Sequence, residues 1–173
     1  MPKTKIYCFD TSAFIRINRF YPREIFSDLW EELESLIKSG YLFSHQICLE
    51  EIRPKTSKPD FLGEWVKDKT SIFKNITQRQ IEIVTEILKK FPGLIDYKKE
   101  KDEADPWIIA LAKEEMEKRG LFSEEREIIL VSEESTRSSI KIPAVCREYG
   151  VNHKTLFEFF QDMGWSFKLQ KSR

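Results

Sequence analysis

Four places along the chain set carboxylates where side-chain chemistry could be done. Asp10 follows the apolar run Ile6-Tyr7-Cys8-Phe9 and is followed by the hydroxyls of Thr11 and Ser12. Glu50 and Glu51 stand in the apolar-periodic stretch containing Ile47, Leu49 and Ile52, and Asp105 immediately precedes Pro106. Glu133 and Glu134 follow the run Ile128-Ile129-Leu130-Val131 and Ser132. A carboxylate at the exit of a buried strand lies at the edge where open α/β sheets bind their ligands. Each acid also has a plainer reading. Asp10 can cap a helix, Asp105 before Pro106 is good helix-start chemistry, and the glutamates can be solvated charge. As a group they would repel one another, and their pKa values would rise unless a cation neutralised them. Hard oxygen ligands suit Mg²⁺ or Mn²⁺, whereas zinc prefers His and Cys. The only histidines, His45 and His153, lack metal-ligand spacing. Divalent metal on carboxylates activates water and neutralises developing phosphate charge, the recurrent device for phosphodiester hydrolysis.

These acids need elements to position them. Residues 6–9 read as a central strand, apolar on both faces as in a parallel sheet. After a short turn, Pro22 opens a helical pattern through Ile25, Leu29, Leu33, Leu36 and Ile37, which Gly40 ends. A second strand is expected at 41–44, then a helix stopped by Pro54, a basic loop over 53–59, a short helix at 61–67 and a strand at 72–73. A longer helix is expected at 78–91, another at 105–120, a clean buried strand at 128–131, and two short helices at 142–149 and 156–163. Strands alternating with helices indicate an α/β fold around a parallel sheet.

Length and composition set the remaining limits. At 173 residues the chain is expected to form a single domain over 1–173, large enough to bury a core without staples. Charged residues make up 34% and cancel to a formal net charge of zero, which argues against a non-specific polyanion coat but allows a local basic patch. Three cysteines, Cys8, Cys48 and Cys146, have no CxxC spacing; Cys8 and Cys48 read as buried, reduced thiols. No apolar run approaches a signal peptide or membrane span, so a cytoplasmic protein is expected.

The segments Tyr7-Cys8-Phe9-Asp10-Thr11-Ser12-Ala13-Phe14-Ile15, Leu49-Glu50-Glu51-Ile52, Ala104-Asp105-Pro106-Trp107-Ile108-Ile109-Ala110 and Leu130-Val131-Ser132-Glu133-Glu134 resemble, in order, the four acidic motifs of PIN-domain nucleases. The resemblance spans nearly the whole chain and is closest to the PIN-like branch designated DUF4411. That branch shares the Phe14-Ile15-Arg16 start, Tyr21-Pro22 before a helix containing Trp30, and the Ile142-Pro143-Ala144-Val145-Cys146 ending. It implies a three-layer α/β/α sandwich with a parallel, about five-stranded sheet, and Mg²⁺- or Mn²⁺-dependent endoribonuclease activity. It further implies the toxin of a toxin–antitoxin pair, with an antitoxin partner and a homodimer. Asp10, Glu51, Asp105 and Glu134 would be the metal-binding, catalytic acids. Thr11 and Ser132 would orient carboxylates or water, with Ser12, Glu50, Asp102 and Glu133 in support. Two positions depart from the family pattern: Ser12 stands where Asn is usual, and the fourth acid is Glu rather than Asp.

On the substrate side, Arg16, Arg19, Arg53 and Lys55 are candidate RNA contacts, with Arg23 and Lys58 in similar loops or helix turns. Tyr21 and Trp107 could stack on bases, although Trp107 also reads as core. Two alternatives to the nuclease are a PIN-like binding protein with weak or no activity, and a DNA-binding module. The latter would use residues 142–162, which can be read as a helix-turn-helix. Its second helix would carry Phe157, Glu158, Phe159, Phe160 and Asp162, an apolar and acidic face that a phosphate backbone repels, so the preferred reading is the sheet's last βα unit, with a short edge strand starting at Val151 and then a terminal helix.

Overall fold

The computed structural model describes residues 3–53, 60–98, 103–120, 126–134, 137, 141–169 and 171. Five parallel strands form the sheet: β1 (Thr4–Phe9), β2 (Leu42–His45), β3 (Phe73–Lys74), β4 (Arg126–Val131) and β5 (Asn152–Lys154). Their spatial order is β3-β2-β1-β4-β5. The chain therefore builds outward from β1 on one side, crosses back over the sheet, and finishes on the other. Phe9 pairs in register with Val131, so the ends of β1 and β4 lie side by side. That junction is where the strand order reverses, the position at which doubly wound sheets open a crevice.

The helices α1 (Thr11–Phe20), α2 (Ser27–Lys38), α3 (Gln46–Ile52), α4 (Phe61–Trp65), α5 (Gln78–Lys90), α6 (Ala104–Gly120), α7 (Ile142–Tyr149) and α8 (Leu156–Asp162) complete the chain. Right-handed crossovers in opposite directions place helices on both faces of the sheet. The strand period of two then divides β1 between the layers. Tyr7 and Phe9 meet Phe159 of α8 edge-on, with ring centroids 4.7 and 5.0 Å apart, and Phe9 also meets Phe14 of α1. Cys8, on the other pleat, senses the Cys146 thiol of α7 and the Glu115 charge of α6. Phe159 is completely buried, and such a ring contributes about 1.5–3 kcal/mol of transfer free energy to the core. All three cysteines are free and buried.

Two sequence expectations change. The segment after Asp10 is not a turn leading to a helix at Pro22; it is the ten-residue helix α1, and α2 starts only at Ser27. Ala13, Phe14 and Ile17 form the buried stripe of α1, while Arg16 and Arg19 face solvent. Pro22 instead closes a turn, its carbonyl accepting from the N–H groups of Ile25 and Phe26. The helix-turn-helix reading of 142–162 is also overturned. Between α7 and α8 runs β5, whose His153 pairs with Leu130 of β4, and Phe159 and Phe160 of α8 are buried in the core. Gly150, at φ +67°, ends α7 in the left-handed conformation, letting the chain turn directly into that strand.

Candidate active site

Asp10 lies just past β1 and is 3% exposed. Its N–H donates to the carbonyl of Val131 at 3.0 Å, which fastens it to the junction with β4. Its side chain caps α1: Oδ2 accepts from the Ser12 N–H at 3.0 Å and from the Ser12 hydroxyl at 2.5 Å. The other oxygen, Oδ1, is buried and has no hydrogen-bond partner among the described residues. Cap and candidate ligand are thus two oxygens of one carboxylate. Burial, then the nearby charges of Glu51 and Glu134, push the Asp10 carboxyl up to about 6 against the Ser12 hydrogen bonds.

Glu51 is held by two elements. Its Oε2 accepts from the Thr11 hydroxyl at 2.5 Å, and its Oε1 accepts from the N–H of Ala104 at 3.1 Å. Ala104 is the first residue of α6, so Glu51 satisfies one of the donors a helix start leaves open and fixes the turn bearing Asp105. Asp105 forms no hydrogen bond among the described residues. Burial pushes its carboxyl up to about 8, with the charges of Glu134, Asp10 and Glu51 adding to the rise and Lys141 opposing it. Glu134 accepts from the Ile142 N–H at 3.0 Å, at the start of α7. The four motif acids therefore surround the β1–β4 junction and feel one another's charge.

The neighbouring candidates separate. Ser12 supports Asp10 and also accepts from the Glu133 N–H at 3.0 Å, tying the first acidic segment to the last. Glu133 turns away from the acids; its Oε1 accepts from the Leu156 N–H at 2.7 Å, at the start of α8. Ser132 is buried with its hydroxyl 2.8 Å from His153 Nε2, so it touches the last βα unit rather than a carboxylate. Glu50 is exposed on α3. Asp102, Lys55 and Lys58 lie outside the described residues. Arg53 lines a cleft of about 330 Å³ with Leu49, Gly63, Val66, Lys67 and Thr70. It caps the end of α3 in a non-helical conformation, and that cleft contains none of the four motif acids. Tyr21 joins an aromatic cluster with Phe26, Phe160 and Phe167 rather than the acids. Trp107 is half-buried, its ring nearly parallel to His45 at 5.7 Å. His45 is a structural residue: Nδ1 accepts from the Ile47 N–H, capping α3, which leaves Nε2 to donate to Gln80 Oε1.

Lys141 escaped the sequence reading. It precedes α7 as its N-cap residue and is the cation whose charge opposes the rise at Asp105. Its position next to Ile142-Pro143, a helix start shortly after the fourth acid, was the available signal.

The family profile described as "Domain of unknown function (DUF4411)" matches residues 7–167, which holds all four acidic segments. The chain belongs to the DUF4411 family. No curated protein matches the sequence. A solved structure similar to this DUF4411 chain is VapBC2 from Rickettsia felis bound to a DNA fragment from their promoter. It is 18% identical, with 87% of this chain and 98% of that chain covered and a TM-score of 0.50. The likeness shows that DUF4411 here adopts the PIN-like α/β fold with its five-stranded parallel sheet.

Among the described residues, no three acidic, histidine or cysteine side chains converge as a ready-made metal cluster. The reason is visible in the hydrogen bonds. Glu51 and Glu134 lean on the N–H groups of Ala104 and Ile142, whereas Asp10 and Asp105 keep oxygens free. The free donors are all carboxylate oxygens, one of them buried and unpartnered, which suits a hard divalent cation. Were a divalent cation held here, Thr11→Val would lower Mn²⁺ affinity about 10-fold, because partners that orient a ligand carboxylate commonly contribute 10–100-fold. Thr11→Ser should restore it; titration calorimetry of the three proteins measures the difference.

Proposed function

We propose that this DUF4411 protein is a divalent-metal-dependent endoribonuclease and the toxin of a toxin–antitoxin pair, acting as one domain. The observation that carries the reading is the buried, unpartnered Oδ1 of Asp10 at the strand-order reversal, faced by the charges of Glu51 and Glu134. An isolated carboxylate is costly to bury, and a cation would offset both the burial and the mutual repulsion. Asp10 and Asp105 would hold Mg²⁺ or Mn²⁺ directly. Glu51 and Glu134 would complete its surroundings, through water or by turning from the N–H groups they now accept from. A cation bound there supplies an activated water and neutralises charge developing on the phosphate.

The protein's own groups do the rest. Ser12 and Thr11 fix the rotamers of Asp10 and Glu51. Lys141, whose charge reaches Asp105, would add positive charge for a phosphate brought to the acids. The fold shared with VapBC2 supports the toxin reading, and with it an antitoxin partner and a second copy of the chain. Among the described residues no helix is long and apolar enough to cross a membrane, and a cytoplasmic setting belongs to the same proposal.

The test uses the purified protein with end-labelled single-stranded RNA and DNA of one sequence, with Mn²⁺ and with EDTA. The expected result is internal cleavage of RNA that EDTA abolishes. Cleavage that survives EDTA would contradict the metal assignment. RNA bound but left intact in saturating Mn²⁺ would favour a PIN-like binding protein, a reading consistent with the N–H groups now held by Glu51 and Glu134.

A further inference from the structure

One surface stripe begins at the acids and is left unused by the site. Ser12, Arg16, Arg19 and Phe20 recur at helical spacing along one side of α1. Ser12 touches Asp10 and the Glu133 main chain. One turn on, Arg16 lies 3.6 Å from Glu133 through Nε. Its guanidinium also sits over the Phe20 ring, 4.3 Å from the centroid, with that of Arg19 at 5.6 Å. Phe20 is 51% exposed.

The stripe carries positive charge without its own counter-charge. Helix α1 contains two arginines and no acid, in a chain whose total charge is balanced. Glu133, the one carboxylate paired with Arg16 among the described residues, is already anchored on the Leu156 N–H. An exposed pair at 3.6 Å is weak and engages one of five guanidinium donors. Arg19 also suits the helix C-terminus by its dipole, so Arg16 and Phe20 carry the weight. From residue 12 to residue 20 a helix rises about 12 Å, long enough for a strand leaving the acids to meet both Arg16 and Phe20.

We propose that this face of α1 is the track for the RNA strand on one side of the scissile bond: Arg16 takes a backbone phosphate next to the acids and Phe20 is the platform for an unpaired base. The assignment rests on the endoribonuclease reading and names its substrate as single-stranded, since only an unstacked base can lie on the ring. The acids repel the strand and the cationic stripe holds it, so the two together place phosphate against carboxylate.

Fluorescence anisotropy of a short, labelled, mixed-sequence RNA tests it, with Ca²⁺ in place of Mn²⁺, for wild type, Phe20→Ala, Phe20→Trp and Arg16→Gln. Phe20→Ala should weaken binding about 10-fold and Phe20→Trp should bind at least as well as wild type. Arg16→Gln should reduce the salt slope by about 0.7, the value of one single-strand phosphate contact. Wild-type affinity in Phe20→Ala, or failure of Phe20→Trp to exceed Phe20→Ala, overturns the track. If wild type still cleaves RNA in Mn²⁺, the track alone has failed; if wild type neither binds nor cleaves, the ribonuclease reading has failed with it. A face that ignored RNA but bound poly-glutamate in a Phe20-dependent way would belong to an acidic protein partner, which also overturns the proposal.

Discussion

Asp10→Asn is expected to reduce cleavage of single-stranded RNA, and affinity for Mn²⁺, by more than about 100-fold while leaving the protein folded. Loss of groups that merely orient metal ligands costs 10–100-fold, and Asp10 is assigned as a ligand itself. The fold should survive because Asn caps helices as well as Asp does, and its carbonyl can accept the Ser12 N–H that Oδ2 accepts now. It also removes a charge that burial disfavours, since the Asp10 carboxyl is pushed up to about 6. Thermal unfolding without metal should therefore show Asp10→Asn at least as stable as wild type. A variant that cleaves at the wild-type rate would remove Asp10 from the site; one that fails to fold would show the cap to be its main role.

The metal-free protein should lose stability as pH rises from about 6.5 to 8, and Mn²⁺ should abolish that loss. A carboxyl whose folded pKa lies above its unfolded value stabilises at low pH, and the contribution disappears as pH climbs through the folded pKa. For Asp105 the window runs from about 4 to about 8, and for Asp10 from about 4 to about 6. Below pH 6.5 an opposite trend overlaps: burial pulls His153 down to about 4, so its contribution grows as pH rises. The interval above 6.5 isolates Asp105. Its change there is on the order of 2 kcal/mol, since each pH unit between the unfolded and folded pKa values contributes about 1.36 kcal/mol. Denaturant unfolding at the two pH values, with EDTA and with Mn²⁺, measures it, and Asp105→Asn should flatten the metal-free curve. Stability that rises across this interval in EDTA would mean that burial and the neighbouring acids do not raise the Asp105 carboxyl.

Much of this arrangement was legible because two signals coincide. Apolar runs before Asp10 and Ser132 mark strands whose ends must meet in a parallel sheet, and Pro106 marks the helix that carries Asp105. Helix α1 was hidden by Thr11, Ser12, Ile15 and Ile17, which weaken helix propensity; its buried stripe became readable only against the Phe9 face of β1. The last edge strand was legible from the helix stop at Gly150 and from Val151, which ruled against the helix-turn-helix, although Asn152-His153-Lys154 has no strand character of its own. Pairing with β4 makes it a strand, a tertiary effect that local pattern does not carry. Glu133 and Glu134 are adjacent and chemically alike, and only the start of α8 separates them by capturing Glu133. The roles of Lys141 and of the Ala104 N–H arise only where helix starts meet at one sheet edge, so residue type alone did not mark them.

Crystals of the protein grown or soaked with Mn²⁺ and measured for anomalous scattering test the central assignment most directly. The account predicts a manganese peak in contact with Asp10 and Asp105, at the junction of β1 and β4. Saturating Mn²⁺ with no peak there, or a peak only at some other carboxylate, would contradict it.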